Sequence, residues 1–172
     1  MFNKEKAAAS FSKSLSEELT LDSVLSSEEV DELEQSFYLL KAHSTDPGLN
    51  IFIRFFSEFP EHKAVIAKFR FLQDMDLVSS QALRDHGRLV MGELESIFRC
   101  RNEPEKLAII LRRMTDKHKT HRVRSEQVMD ILSAILTEVK LASDGNLSEA
   151  RIAAWTKYIG HLGHLMSSLH IP

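Results

Sequence analysis

An all-α fold in one domain is the class this sequence predicts, on three observations. Apolar residues recur at helical spacing through most of the chain, and no stretch gives a convincing strand. Six glycines and four prolines are too few for an all-β design with many tight turns. A length of 172 residues without an internal repeat suits a single sizeable core.

The helices follow in order. Residues 1–25 mix Ser, Lys and Glu with scattered Leu and Phe, and read as a flexible N-terminal extension before a domain over 26–172. Ser26 or Ser27 followed by Glu28 and Glu29 is a helix start, and Val30, Leu33, Phe37 and Leu40 continue it. HSTDPG (43–48) breaks that helix and opens the next, whose stripe is Leu49, Phe52, Ile53 and Phe56. Phe59-Pro60 is a sharp break, after which PEHKAVIAKF begins a short helical segment with proline in its first position.

Residues 70–79 read as a connecting loop. Leu83, Gly87, Val90, Met91, Leu94 and Phe98 line one face of a long helix. Asn102 is a candidate cap for the next, with Pro104 in its first turn and a stripe of Leu107, Ile110, Leu111, Met114 and then His118. HKTHRVRS (118–125) is a basic loop. Val128, Ile131, Leu132, Ile135, Leu136 and Val139 mark another helix, stopped by SDGN (143–146). Ser148 can cap the last, which carries Ile152, Trp155, Ile159, Leu162, Leu165 and Leu169. Six or seven helices result.

Composition narrows the function. A formal charge of −3 gives no basic excess to displace counterions from nucleic acid. No apolar run reaches membrane-span length. MFNKEKAAAS lacks an apolar h-region, so no secretory signal is expected, and Phe2 stands where N-myristoylation needs glycine. The single Cys100 excludes an intramolecular disulfide and suits a reducing, cytoplasmic compartment. No nucleophile, base and orienter form a set, so no dedicated enzyme is expected beyond modest redox reactivity.

Two of the eight histidines lean inward. His118 lies four residues after Met114 and continues an apolar stripe, and His86 precedes Gly87 at the edge of another. Each is consistent with a satisfied core histidine. Together they also suit one metal ligated from opposite sides. Two protein ligands fall short of the four a structural zinc wants, but suffice for a haem, whose porphyrin supplies four nitrogens. Spacing leaves these readings open. His161 and His164, three apart, are read as surface or packing residues, and Trp155 as core.

In order, several segments resemble a globin, most closely the cytoglobin, neuroglobin and nematode-type intracellular branches. IFIRFFSEFPEHK (51–63) is similar to the family's second helix and the proline opening its third. LRDHGRLVMGEL (83–94) resembles the distal helix, and LRRMTDKHKTHRV (111–123) the proximal helix and its corner. VMDILSAILTEV (128–139) and AAWTKYIGHL (153–162) resemble the last two long helices. The resemblance runs from about Ser27 to Leu169. It implies six to eight helices around a pocket for haem b, with His118 as proximal iron ligand and His86 as the distal histidine. Globins cross the second and distal helices at close range, one glycine from each. Gly48 and Gly87 stand at those places.

The resemblance further places Val90 on the distal face, Phe52 at the top of the distal pocket and Met114 beneath the ring. Val123 and Ile131 or Leu132 would line the proximal side. Lys117, His121, Arg122, Arg88 and Arg70 are candidate cations for the propionates. Two positions depart from the family. Ile66 replaces the usual phenylalanine six residues beyond Pro60, so that either Phe69 or Phe71 contacts the haem or an aliphatic residue such as Ile66 does that work, and Leu89 replaces a common Lys or Arg. Gly92 has no assigned role.

The function implied is a haem protein with His86 as sixth ligand, serving electron transfer or redox and gas (O2, NO) sensing. Its partners would be diatomic gases, an electron-transfer protein, or both, and its state a monomer or homodimer. A five-coordinate oxygen carrier or store is the alternative. A haem-free globin-like interaction or sensor module, for which Ile66 speaks, is the second.

Overall fold

The computed structural model describes residues 24–66 and 68–168. Most of the N-terminal extension, Leu169 and His170 lie outside the described residues. Leu25, assigned above to the extension, is buried in the core.

Seven α-helices occur among the described residues. They are α1 (Ser27–His43), α2 (Pro47–Glu58), α3 (Pro60–Val65), α4 (Gln81–Arg99), α5 (Pro104–Thr120), α6 (Ser125–Ala142) and α7 (Glu149–Ser168). Local chemistry starts most of them. Ser26 and Glu29 form a reciprocal capping box at α1: the Ser26 hydroxyl accepts from the Glu29 N–H at 3.2 Å, and Ser26 N–H donates to Glu29 at 2.9 Å. Asp46 caps α2 through the Leu49 N–H (3.3 Å), and Ser80 caps α4 through Leu83 (3.2 Å). Ser148 caps α7 through Arg151 (3.2 Å).

Three expectations need correction. Asn102 is not the cap of α5; Glu103 holds that place without a side-chain bond, and Pro104, which has no N–H to satisfy, opens the helix. The presumed loop at 118–125 is helical through Thr120. The presumed loop at 70–79 contains a short 3-10 turn, Asp74–Asp76, followed by the buried Leu77.

Helix α2 buries more than the single stripe its sequence shows. Gly48, Leu49, Ile51, Phe52, Phe55 and Phe56 are all buried, because α2 packs against α4 on one side and α6 on the other. Its aromatic residues form one apolar cluster with Phe69, Leu77 and Leu83. A second, larger cluster joins α1, the later part of α4, α5, α6 and α7. There the Trp155 indole N–H donates to the buried Ser36 hydroxyl at 2.7 Å, tying α7 to α1, and Phe98 stacks on Tyr158 at 5.1 Å between centroids.

The crossing of α2 and α4 is a backbone contact. A β-carbon at Gly87 would lie 2.5 Å from the Gly48 carbonyl carbon, and one at Gly48 would overlap the Gly87 carbonyl. No side chain fits, so both positions require glycine on packing grounds. Gly92, on the exposed side of the same helix, has nothing within 4 Å of the place a β-carbon would take. The two positions should therefore respond oppositely to alanine. Gly92→Ala is expected to raise stability by about 0.5–1 kcal/mol. Gly48→Ala should lower it by about 3 kcal/mol, the upper end for overpacking. Urea titration of both variants checks this.

Candidate functional site

The end of α5 fixes one imidazole by local bonds. His118 lies in the last turn of the helix, and its Nδ1 is 2.7 Å from the Met114 carbonyl. A carbonyl only accepts, so Nδ1 carries the proton and Nε2 keeps its lone pair free. The helix then ends on a left-handed residue, Arg122 (φ 57), and the Val123 N–H returns to the His118 carbonyl at 2.9 Å. This is the Schellman arrangement, built here without glycine.

The second imidazole is placed by packing. His86 lies beside the Gly87 contact, and two phenyl rings bear on it. Phe52 of α2 sits 4.9 Å from it between centroids, and Phe69, from the corner after α3, sits 5.6 Å away.

Both histidines line one partly open cavity. Its walls are otherwise apolar: among its lining residues only His86, His118, Glu93 and Lys117 are polar. Burial is the main reason the His86 pKa is pulled down, to about 4, with the positive charges of Lys68, His118 and His121 adding to it. Burial also lowers His118, against the opposing pull of its bond to Met114. Two neutral imidazoles therefore face one apolar space, which is the protonation state metal ligation needs. Among the described residues no group of three or more His, Cys, Asp or Glu gathers as a metal site.

The residues singled out in the sequence divide into two groups. Leu89, Val90, Met114, Lys117, Ile131 and Leu132 line the cavity with the two histidines. Phe52, Ile66 and Phe69 do not. They belong to the aromatic cluster whose Phe52 and Phe69 bear on His86. His121, Arg122 and Val123 form the corner after α5 and also stay off the lining.

The cation candidates separate in the same way. Lys117 lines the cavity, whereas Arg88 pairs with Asp85 at 3.6 Å and Arg70 lies over the Phe71 ring at 4.7 Å.

Sequence reasoning missed several wall residues. Leu94 and Ile97 continue the face of Val90 along α4, and Val128 and Ile135 continue that of Ile131 along α6, so the helical period could have found them. Leu162 and Met166 come from α7. Glu93 gave no signal. It is a carboxylate on a cavity wall, held by Arg113 of α5 through two 2.8 Å bonds. Lys68 gave none either, yet its charge acts on His86.

The changed contact at Ile66 leaves Phe69, almost wholly buried against Phe52 and Phe56, as the ring from this corner that bears on His86. Phe69→Ala is expected to cost about 3–5 kcal/mol, as for other buried aromatic truncations. Denaturant unfolding of the variant measures it.

Comparison with known proteins bears on this arrangement. The family model described as Globin matches residues 49–166. A globin of Nerita albicilla is 22% identical over 144 residues, covering 84% of this chain and 92% of that one. Cytoglobin-1 of Danio rerio is 26% identical over 149 residues, 85% and 86% of the two chains. A globin of Aequiyoldia eightsii is 28% identical over 128 residues, 73% and 86%. With the glycine crossing in place, two imidazoles on one apolar cavity and a family match over most of its length, this chain belongs to the globin family.

Proposed function

We propose that His118 and His86 would hold haem b in this globin, both imidazoles serving as iron ligands, and that the protein serves electron transfer or redox and gas sensing. Membership of the family implies a haem cofactor. The residues present fit such a group: the cavity is largely apolar and is met by an imidazole from each of two helices. Cys100, the one cysteine of the sequence, stays off the lining, which suits a haem held without thioether bonds.

The observation that carries the six-coordinate reading is the placing of both imidazoles on one cavity. Phe52 and Phe69 bear on His86 and restrict the room its ring has to move. Burial keeps His86 neutral and able to donate its lone pair. When bound, the haem iron supplies reversible one-electron chemistry and a place for diatomic ligands. The chain's own residues set the terms. His118, held by the Met114 carbonyl, presents Nε2 in a fixed direction. His86 competes with incoming ligands, which favours sensing or electron transfer over bulk storage. The apolar walls formed by Val90, Ile131 and Leu132 exclude water. Lys117, at the cavity, and Lys68, whose charge reaches His86, are the cations offered to the propionates.

Among the described residues no helix is long and apolar enough to cross a membrane. A cytoplasmic location and an electron-transfer partner are part of the same proposal.

The deciding test is the absorption spectrum of the haem-reconstituted protein, ferric and then dithionite-reduced, with no added ligand. Sharp split bands in the reduced form are expected, and His86→Leu should abolish them. A single broad band with a stable oxygenated form in air would make the protein a carrier or store. Failure to retain haem would leave the interaction-module reading. The assignment of Lys117 has its own check. Lys117→Glu should speed haem transfer to a haem-free acceptor protein by about fivefold, the equivalent of roughly 1 kcal/mol for one exposed charge pair.

A further inference from the structure

His62 takes no part in the cavity, yet it is a buried polar side chain in a six-residue helix. Its ring packs against those of Phe55 (5.4 Å, 25°) and Phe59 (5.7 Å, 21°), which also touch each other at 5.9 Å between centroids. Its Nε2 lies 2.6 Å from a carboxylate oxygen of Asp130, on α6. Asp130 is the residue before Ile131, which lines the cavity. A short helix such as α3 has little stability of its own. This bond and the two stacked rings tie it to α6 and α2.

The corner beyond α3 reaches His86. The Ile66 N–H returns to the His62 carbonyl at 3.3 Å, and the Phe69 N–H to the Ile66 carbonyl at 2.8 Å. The Phe69 ring then bears on His86. A path of hydrogen bonds, ending in a ring contact, therefore runs from Asp130 through His62 and the corner to the distal imidazole.

We propose that His62 and Asp130 are positioning residues: their hydrogen bond sets the α3 corner so that Phe69 confines His86 on the cavity side. This rests on the reading of His86 as the residue that meets the iron or its ligand. Releasing the bond lets the corner and Phe69 recede, and His86 gains room to swing away from the cavity.

The test uses the full chain reconstituted with haem. Asp130→Ala removes the acceptor at a position whose side chain is 26% exposed, so folding is expected to survive; Asp130→Ser is the second variant if it does not. The readouts are the split bands of the reduced form, the rate of carbon monoxide binding and, separately, the melting temperature. Asp130→Ala should weaken the split bands and raise the carbon monoxide rate at least about threefold, the low end of coupling between connected residues. Asp130→Asn, which keeps an oxygen acceptor, should stay near the parent. In a Phe69→Leu background Asp130→Ala should change the rate no further, because the route through Phe69 is already cut.

A lower melting temperature with unchanged bands and rate would overturn the proposal, as would additivity with Phe69→Leu. A parent protein without split bands would instead overturn the six-coordinate reading. The readout then becomes oxygen dissociation, which His86 governs as a hydrogen-bond donor, and no change there in Asp130→Ala would overturn the lock.

Discussion

The contact between the backbones of Gly48 and Gly87 is the constraint on which the rest of the site depends. Helices ordinarily pack 8–10 Å apart because side chains stand between them. Here two missing β-carbons let α2 rest directly on α4. That approach brings Phe52 within 4.9 Å of the neighbouring His86 ring. It also places the opposite side of α2 against α6, so the helix is buried on two faces. The helix-propensity cost of two glycines, about 1 kcal/mol each, is offset by this packing.

The two imidazoles are held by different physics. His118 is fixed by bonds within its own turn and by the left-handed cap beyond it. Its direction is a local property of α5. His86 has no such local partner. It is directed by a helix crossing and by rings from α2 and from the corner after α3. A change in the corner therefore reaches His86 more readily than His118. The low polarity of the shared cavity acts on both in the same sense and keeps them neutral.

Charge at the cavity is sparse and specific. Glu93 pairs with Arg113, whose Nη2 donates to both of its carboxylate oxygens, and the pair braces α4 against α5. Lys117 lines the cavity; Lys68, over the Phe69 ring, acts on His86 through its charge; Arg88 pairs with Asp85 and Arg70 lies over Phe71. Leu89, about half exposed, lines the cavity without bringing a charge to it.

The sequence by itself determined the all-α class, most helix limits and several caps. These depend on residues within one or two turns of each other, and so does the apolar stripe that carries His118 inward. Resemblance to a family added the glycine crossing, which no local pattern around Gly48 or Gly87 declares. Only the tertiary structure decided which polar groups the cavity would hold. Glu93 is an ordinary surface-type residue until Arg113 meets it from another helix. The five candidate cations were equivalent in sequence, and packing separated them. His62 and Asp130 stand 68 residues apart and become partners only when α3 is laid against α6. Local periodicity records which face of a helix is apolar. It does not record what will cover that face, and at this site the covering residues come from other helices.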